Sequence, residues 1–274
     1  MPLLFVMFFI LVVRALTLDG AMEGIKFFLY PDFSNITGDS ILYALGQSFF
    51  ALAVGFSCLV TYSSYLKKDV SLPNSAGSVV GLSIFVSFLA GLAIFPVVFT
   101  FDMEVASGPP LLFMVLPAAF SQIPLGELFL ALFLILFLFA TLTSSFSMYE
   151  IIVAAIVEKW NVSRAMITIV IGIIVFFASI PSTLTYSSLS DVSIFGRNIF
   201  DFTDFVVSNV ILPIGNLLIA IFIMHIMDKS LVKDELLRGS KMGEGFYKTY
   251  RFLMTYLVPF VIVIVLGYLI TQYK

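Results

Sequence analysis

The 274-residue chain has few of the residues from which disulfides, zinc sites and charged surfaces are built. It contains one cysteine, Cys58, which excludes an internal disulfide, and one histidine, which leaves a zinc site without ligands. Only 11% of the residues are charged, whereas soluble domains have roughly 25%. The 14 lysines and arginines form no dense basic run, so nucleic acid is not expected as a partner. These scarcities argue against a soluble domain, a zinc protein and a nucleic-acid-binding protein.

Groups suited to catalysis are scarce as well. The single histidine, His225, lies beside Asp228 and Lys229 at the end of an apolar run, which is typical of a residue at a membrane interface. No nucleophile, base and orienting group fall together along the sequence. We therefore do not expect the protein to be an enzyme.

Apolar side chains, in contrast, are abundant. They make up 61% of the sequence, and 31 residues are phenylalanine, a composition typical of surfaces that meet lipid. Membranes are crossed by helices or closed barrels, and the apolar runs here are too long for barrel strands of about 10 residues. The expected fold is an all-α polytopic membrane protein, a single membrane domain over 1–274 that makes multiple passes through the cell membrane.

Seven apolar segments predict about seven transmembrane helices. The predicted spans are 1–16, 41–66, 77–101, 125–158, 163–181, 201–227 and 248–271. The loops 17–40 and 102–124 mix proline and glycine with apolar residues, which predicts short helices folded back on the outer face. Most basic residues lie in the stretches 67–68, 159–164 and 229–251. The positive-inside rule therefore places those stretches in the cytoplasm.

The first apolar segment begins without a polar lead. Its sequence, MPLLFVMFFILVVRAL, is apolar apart from Arg14. A secretory signal needs a basic stretch before its apolar core. We interpret 1–16 as a truncated span whose beginning is missing, rather than as a cleaved signal.

Gly55 lies at the centre of the segment 41–66, and two interpretations of it stay open. A small residue allows close packing of two membrane helices. Alternatively, the helix is broken here, and its released amides and carbonyls face a substrate or an ion such as Na+. Spacing alone does not distinguish them.

A polar face is predicted within the span 125–158. Ala140, Thr143 and Ser144 lie at i, i+3 and i+4, so two hydroxyls and a carbonyl share one side of the helix. Such a face is suited to Na+, but serine and threonine in membrane helices also donate back to carbonyls one turn earlier. Glu150 follows on the same helix, where an ionisable residue is expected to be functional or paired.

Three further polar residues belong to apolar segments. Asp204 lies at the start of the span 201–227, where the helix dipole alone favours a carboxylate. Ser83 and Ser87, one turn apart, form a stripe that faces either a neighbouring helix or an ion.

Several sequence blocks occur together in an order typical of one family. They include ALGQSFFALAVGFSCLVTYSSYLKKD, SGPPLLFMVLPAAFSQIP, ATLTSSFSMYE and FDFTDF. With these blocks the chain resembles the bacterial branch of the neurotransmitter:sodium symporter family over nearly its whole length. The resemblance implies a leucine-transporter-like fold, with the seven spans corresponding to the family's fifth to eleventh helices. It also implies Na+-coupled transport of amino acids or related amines.

The resemblance implies binding residues at the unwound middle of the segment 41–66 and on the span 125–158. The implied substrate-binding residues are Phe50, Ala53, Phe56 and Met148. The implied second sodium site consists of the Ala140 carbonyl and the hydroxyls of Thr143 and Ser144.

The resemblance also implies two gates. Asp204 matches the acid of the extracellular gate. Tyr65 and Glu158 match the intracellular gate, where a tyrosine and an acid meet a basic residue of the N-terminal segment.

Two ion sites depart from the family pattern or vary within it. At the first sodium site, Ala51 and Ser83 stand where the family usually has serine or threonine and asparagine. Only the Ala51 carbonyl and the Ser83 hydroxyl are left to contribute there. Gln47 and Ser87 match chloride-site positions, which points to Cl− as a second ion.

The family's first four helices have no counterpart in this chain, according to the resemblance. We therefore expect the C-terminal portion of a Na+-coupled transporter, an incomplete fold containing the second inverted repeat and inactive without the N-terminal helices. The alternative is a non-transporting membrane fragment that associates with an intact homologue, or a truncated relic. The expected partners are the lipid bilayer, an amino acid or amine substrate, and the missing helices or an intact homologue.

Overall fold

The computed structural model describes residues 2–30, 32–103, 108, 111–122 and 124–271. Helices dominate these ranges, as an all-α membrane protein requires. The α-helices are α1 (Pro2–Leu16), α2 (Ala21–Leu29), α3 (Gly38–Ala51), α4 (Cys58–Ser64), α5 (Leu72–Thr100), α6 (Leu116–Phe120), α7 (Gly126–Trp160), α8 (Arg164–Thr183), α9 (Ile199–Phe205), α10 (Leu212–Ile221), α11 (Lys229–Leu237), α12 (Glu244–Phe252) and α13 (Val258–Thr271).

Shorter elements connect or interrupt these helices. Short 3-10 helices cover Phe33–Asn35 and Leu184–Tyr186, and π-helical turns cover Leu111–Val115, Val206–Ile211, Phe222–Ile226 and Leu253–Leu257. A small hairpin of β1 (Ser193–Ile194) and β2 (Arg197–Asn198) joins α8 to α9. Its two turn residues, Phe195 and Gly196, have φ angles of 51° and 78°, the left-handed pair that a tight hairpin turn requires.

Among the described residues, five helical stretches are long and apolar enough to cross a membrane. They are Leu72–Thr100, Gly126–Trp160, Arg164–Tyr186, Ile199–Ile226 and Glu244–Tyr268. Residues 5–16 and α2 form a sixth span only if this pair, bent by 112°, is counted as one. The remaining predicted span, 41–66, is divided between α3 and α4, and neither half reaches the about 20 residues that a crossing requires. Together with the bent pair and the divided segment 41–66, these five stretches correspond in position to the seven apolar segments of the sequence.

The surface of α8 shows what surrounds these spans. Ile169, Phe176 and Phe177 are each more than 60% exposed. A helix that is apolar all round and still exposed must face lipid or further helices. The protein is a multi-pass membrane protein.

The first compact unit comprises Met1–Ile36 and Val80–Ser145. Its core consists of Leu11, Ala15, Val97, Leu116, Ala119, Phe120 and Phe133. α2 lies so close to the end of α5 that a Cβ at Gly24 would come within 2.6 Å of the Pro96 nitrogen. The small residue at this position thus allows α2 to pack closely on α5.

The second unit comprises Thr37–Val79 and Phe146–Lys274. α10 packs on α13, and α3 packs on both. Leu212, Ile262 and Val265 are at most 2% exposed where α10 and α13 meet. This packing places the end of α3, where the helix is interrupted, beside α10.

Candidate functional site

The interruption lies between Ala51, the last residue of α3, and Cys58, the first of α4. Alternate residues within it, Ala53, Gly55 and Ser57, have φ angles of 49°, 92° and 62°. A single residue in the left-handed region ends a helix, and non-glycine residues there are strained. Three in five residues keep the backbone from closing helical hydrogen bonds.

The backbone hydrogen bonds follow from these angles. The Ala53 amide donates to the Phe50 carbonyl at 2.9 Å, and the Val54 amide donates to Phe49 at 3.1 Å. The next bond joins Thr61 to Ser57 at 2.9 Å. Within the described part of the chain, no backbone bond uses the amides of residues 55–57, so this segment offers polar groups that a continuous helix would have satisfied.

Gly55 also makes a close contact with α10. A Cβ at Gly55 would overlap the backbone oxygen of Leu212, and a Cβ at Gly215 would lie 2.5 Å from the Gly55 oxygen. A broken helix and close packing on a neighbour therefore occur together at Gly55, and that the released groups face a substrate or an ion stays a prediction. Only glycine combines the positive φ with this approach.

Asn216 borders the same contact. Its side-chain carbon would be 3.3 Å from a Cβ at Gly55. The Asn216 Nδ2 is buried and has no hydrogen-bond partner within the described ranges. A buried donor without an acceptor is rare and costly, so the contact between α10 and the interruption has an unsatisfied polar group.

Three of the four predicted substrate-binding residues lie at the interruption. Phe50 lies in the last turn of α3 and is 43% exposed, Ala53 adopts the first left-handed conformation, and Phe56 is half-buried. Met148 lies on α7 and is 41% exposed. The Tyr62 hydroxyl of α4 donates to the Ser147 hydroxyl at 2.7 Å, which ties α4 to α7 one residue before Met148.

The predicted second sodium site shows back-bonded hydroxyls. The Ala140 carbonyl accepts from Thr143 at 2.8 Å and from Ser144 at 3.1 Å. The two donating hydroxyls still carry oxygen lone pairs and keep their ligand character, whereas the Ala140 carbonyl already accepts both bonds, and the sodium site stays a prediction. Hard cations prefer such oxygens. No group of three carboxylate, histidine or cysteine residues gathers anywhere in the described ranges.

The other ion-site predictions fall on separate units. Gln47 and Ala51 lie on α3 in the second unit, whereas Ser83 and Ser87 lie on α5 in the first. Ser83 is half-buried and Ser87 is exposed. The first sodium site and the chloride site stay predictions.

Tyr65, just after α4, belongs to a cluster of polar side chains. Its hydroxyl donates to one oxygen of Glu150 at 2.7 Å, and the guanidinium of Arg164 pairs with the other oxygen. The Glu150 side chain is 19% exposed and that of Arg164 57%. The paired alternative for Glu150 is therefore the one observed. We call Tyr65, Glu150 and Arg164 the polar triad; it joins the interrupted helix to α7 and α8.

Glu158, the predicted partner of Tyr65 at a gate, lies eight residues beyond Glu150 on α7, which is about 12 Å along a helix. It is exposed. Asp204, the other predicted gate acid, is exposed on α9 and accepts a hydrogen bond from the Ser208 hydroxyl at 3.1 Å. The gate assignments stay predictions.

α11 and α12 lie in the stretch that the positive-inside rule places in the cytoplasm. They contact each other and the loop after α4. Lys233 pairs with Glu244 at 2.9 Å, and that carboxylate raises the pKa of the lysine. A Cβ at Gly239 would lie 2.6 Å from the Asp69 backbone oxygen. Asp228 caps α11, and hydrogen bonds from the Ser230 hydroxyl and amide lower its pKa.

The sequence did not predict roles for Arg164, Gly215 or Asn216. Arg164 was recognised only as a basic residue near a helix end. Gly215 and Asn216 were detectable in principle, since a small and a polar residue stand side by side within an apolar helix. Their contact, Gly55, is distant in the sequence, so no local sequence pattern predicts it.

Comparison with known proteins identifies the family of the chain. The sequence matches the model of the sodium:neurotransmitter symporter family over residues 1–274. It is 51% identical to the uncharacterized sodium-dependent transporter YhdH of Bacillus subtilis (strain 168), covering 97% of this chain and 59% of YhdH. It is 39% identical to an uncharacterized sodium-dependent transporter of Haemophilus influenzae, covering 97% of this chain and 58% of the relative.

A solved structure is similar as well. The crystal structure of MhsT in complex with L-phenylalanine superposes with a TM-score of 0.87 at 38% identity, covering 98% of this chain and 61% of MhsT. The chain thus spans about three-fifths of the length of the relatives it matches. Because the family model matches the chain from end to end, the protein belongs to the sodium:neurotransmitter symporter family.

Proposed function

We propose that this chain takes part in Na+-coupled symport of amino acids or related amines, with the interruption at 52–57 as its half of the substrate site. The observation that carries the proposal is the backbone there. Three alternate left-handed residues leave amides without backbone partners, and membrane proteins tolerate such a segment only where it lines a cavity or is buried in protein.

The side chains at the interruption favour an apolar substrate. Phe50, Phe56 and Met148 present aromatic and thioether surfaces with no charge, and Met148 lies one residue from the bond between α4 and α7. The solved relative MhsT was crystallised with L-phenylalanine. A hydrophobic amino acid is therefore the first substrate to test.

The sodium proposal rests on α7. This one helix carries Ala140, Thr143 and Ser144 on one face and Glu150 of the polar triad about 9 Å further along. A cation held by the first group would stiffen the same helix that bonds to Tyr65. We propose that this continuity couples sodium occupancy to the position of α4.

The chain's length bears on its activity. Alternating access requires one repeat to move against the other around a shared site, and the chain spans about three-fifths of its relatives. We propose that it transports only when combined with the helices that those relatives have in addition.

The test is uptake of radiolabelled L-phenylalanine by proteoliposomes under an inward Na+ gradient, with K+ in place of Na+ as the control. The chain alone should show no Na+-dependent uptake. Co-expression with the part of YhdH that has no counterpart in this chain should restore it. Strong uptake by the chain alone would contradict the need for complementation.

A separate outcome tests the alternative of a non-transporting partner. Stable co-purification with full-length YhdH, together with no uptake in the complemented preparation, would favour association with an intact transporter. Restored uptake would rule against it.

A further inference from the structure

A cavity within the first unit has no assigned role. Its volume is about 160 Å³, and its walls come from α1, α5, α6 and α7 together with the turn before α6. The residues assigned above to substrate, sodium, chloride and the gates do not line it. The cavity therefore needs its own explanation.

The walls are apolar and well fixed. Leu11, Val97 and Leu116 are at most 4% exposed. Phe133 contacts Phe120 and Phe137 with ring centroids 6.0 and 6.2 Å apart. An apolar cavity near 150 Å³ stays free of water and accepts an apolar guest, so this space suits a short hydrocarbon chain.

The cavity owes part of its volume to two short side chains in its lining. Ala90 and Ala93 of α5 face the cavity one turn apart, where leucine or phenylalanine would fill it. Ile94 and Val97 of the same helix also line the cavity, so the two alanines are its smallest side chains on α5.

One charged residue, Arg14, also lines the cavity. Its Nη1 donates to the Thr17 hydroxyl at 3.0 Å, and its guanidinium lies 5.8 Å from the centre of the Phe129 ring. A guanidinium has five N–H donors. No carboxylate in the described ranges forms an ion pair with Arg14. The Arg14 guanidinium, which can bind a carboxylate in bidentate geometry, therefore lies beside an apolar cavity.

We propose that this cavity binds a fatty-acid-type monocarboxylate, with its carboxylate on Arg14 and its apolar tail in the cavity. A single guanidinium matches a single carboxylate, and the volume is too small for a lipid with two acyl chains. Arg14 disfavours a cationic amphiphile. The proposal is independent of transport, since it concerns binding within the first unit alone.

The test is a titration of the full chain in lipid nanodiscs with octanoate, followed by NMR of labelled alanine and leucine methyl groups. Saturable shifts are expected at Ala93, Ala119 and Leu116. The exposed Leu218 reports partition into lipid and should move without saturation. Neutral 1-octanol should bind at least tenfold more weakly than octanoate, and octylamine should cause no saturable shift.

Two variants test separately how the carboxylate and the hydrocarbon tail of octanoate contribute to binding. Ala93→Phe fills the cavity and should abolish saturable binding, whereas Ala76→Phe, at an exposed position of the same helix, should leave it unchanged. Arg14→Gln should weaken octanoate binding by roughly tenfold or more, because a charge-assisted hydrogen bond is lost.

Several results would overturn the proposal. They are the absence of saturable shifts, equal affinity for octanol and octanoate, unchanged binding in Arg14→Gln, and unchanged binding in a folded Ala93→Phe. If Ala93→Phe does not fold, Arg14→Gln and the comparison of head groups still decide the question.

Discussion

The backbone oxygen of Gly55 lies so close to Gly215 of α10 that a methyl group at position 215 would be 2.5 Å from it. The interrupted helix is thus held to α10 through backbone atoms, with no side chain between them. Contacts of this kind allow small shifts of the two segments without side-chain repacking, but they tolerate no added atoms.

Gly215→Ala should reduce stability by about 1–3 kcal/mol, because the added methyl overlaps a backbone oxygen that cannot move aside without shifting the interruption. Thermal unfolding in detergent measures the change. The matched control is Gly267→Ala in α13, where nothing lies within 4 Å of the added Cβ and helix propensity predicts a gain of about 0.5–1 kcal/mol. Equal unfolding curves for the two variants would contradict the close contact.

Glu150→Gln should destabilise the polar triad by about 1 kcal/mol. The neutral amide loses the ion pair with Arg164, whose exposure to solvent limits the loss. Hydrogen exchange at residues 62–66 should also become faster, since Tyr65 loses a charged acceptor. Glu158→Gln, an exposed acid on the same helix, should change stability by less than about 0.5 kcal/mol. If both variants behave alike, the triad does not hold α4 in place.

Thr143→Val and Ser144→Ala should each raise the Na+ concentration needed for half-maximal uptake several-fold in the complemented transporter, because each removes a candidate oxygen ligand. The control is Thr141→Val. This threonine is also back-bonded on α7 but lies about 100° around the helix from Ala140, and its hydroxyl donates to the carbonyls of Phe137 and Leu138. An unchanged Na+ dependence in Thr143→Val and Ser144→Ala would contradict a sodium site on this face of the helix.

The start of α11 should lose protection from hydrogen exchange as the pH falls. The pKa of Asp228 is held below its ordinary value of 3.8 by hydrogen bonds from Ser230. A lowered folded-state pKa gives stability that is present above that ordinary value and lost as the pH falls through the folded-state pKa. Asp228→Asn still caps a helix but cannot titrate. Hydrogen exchange at Ser230 and Leu231 should therefore no longer become faster as the pH falls through the range where Asp228 titrates. Persistence of the acid-induced loss in that variant would assign it to another group.

The residue pattern alone was sufficient for the class, and the family resemblance added the position of the interruption. Long apolar segments leave only helices in a bilayer, and Gly55 near the centre of one of them marks where a helix can break. The number of full spans was harder to predict. Composition shows that 1–16 and 41–66 are apolar, but not that the first is part of a sharply bent pair or that the second divides into helices of 14 and 7 residues.

The partners within the candidate site could not be predicted, because each joins residues far apart in the chain. Glu150 meets Tyr65 across 85 positions, and only the fold brings α4 against α7. Gly215 and Gly267 look alike as glycines in apolar helices, yet only the first touches the interruption.

The length of α7 should make the protein sensitive to membrane thickness. Its 35 residues extend about 52 Å, whereas the hydrocarbon layer is about 30 Å thick. The helix must tilt or project into the headgroups, and Lys159 above the Trp160 ring is suited to anchor that end at the interface. Glu150 lies about 15 Å from the same end. A thinner bilayer therefore brings its bonds to Tyr65 and Arg164 towards water, and a thicker one draws them into hydrocarbon, where they strengthen.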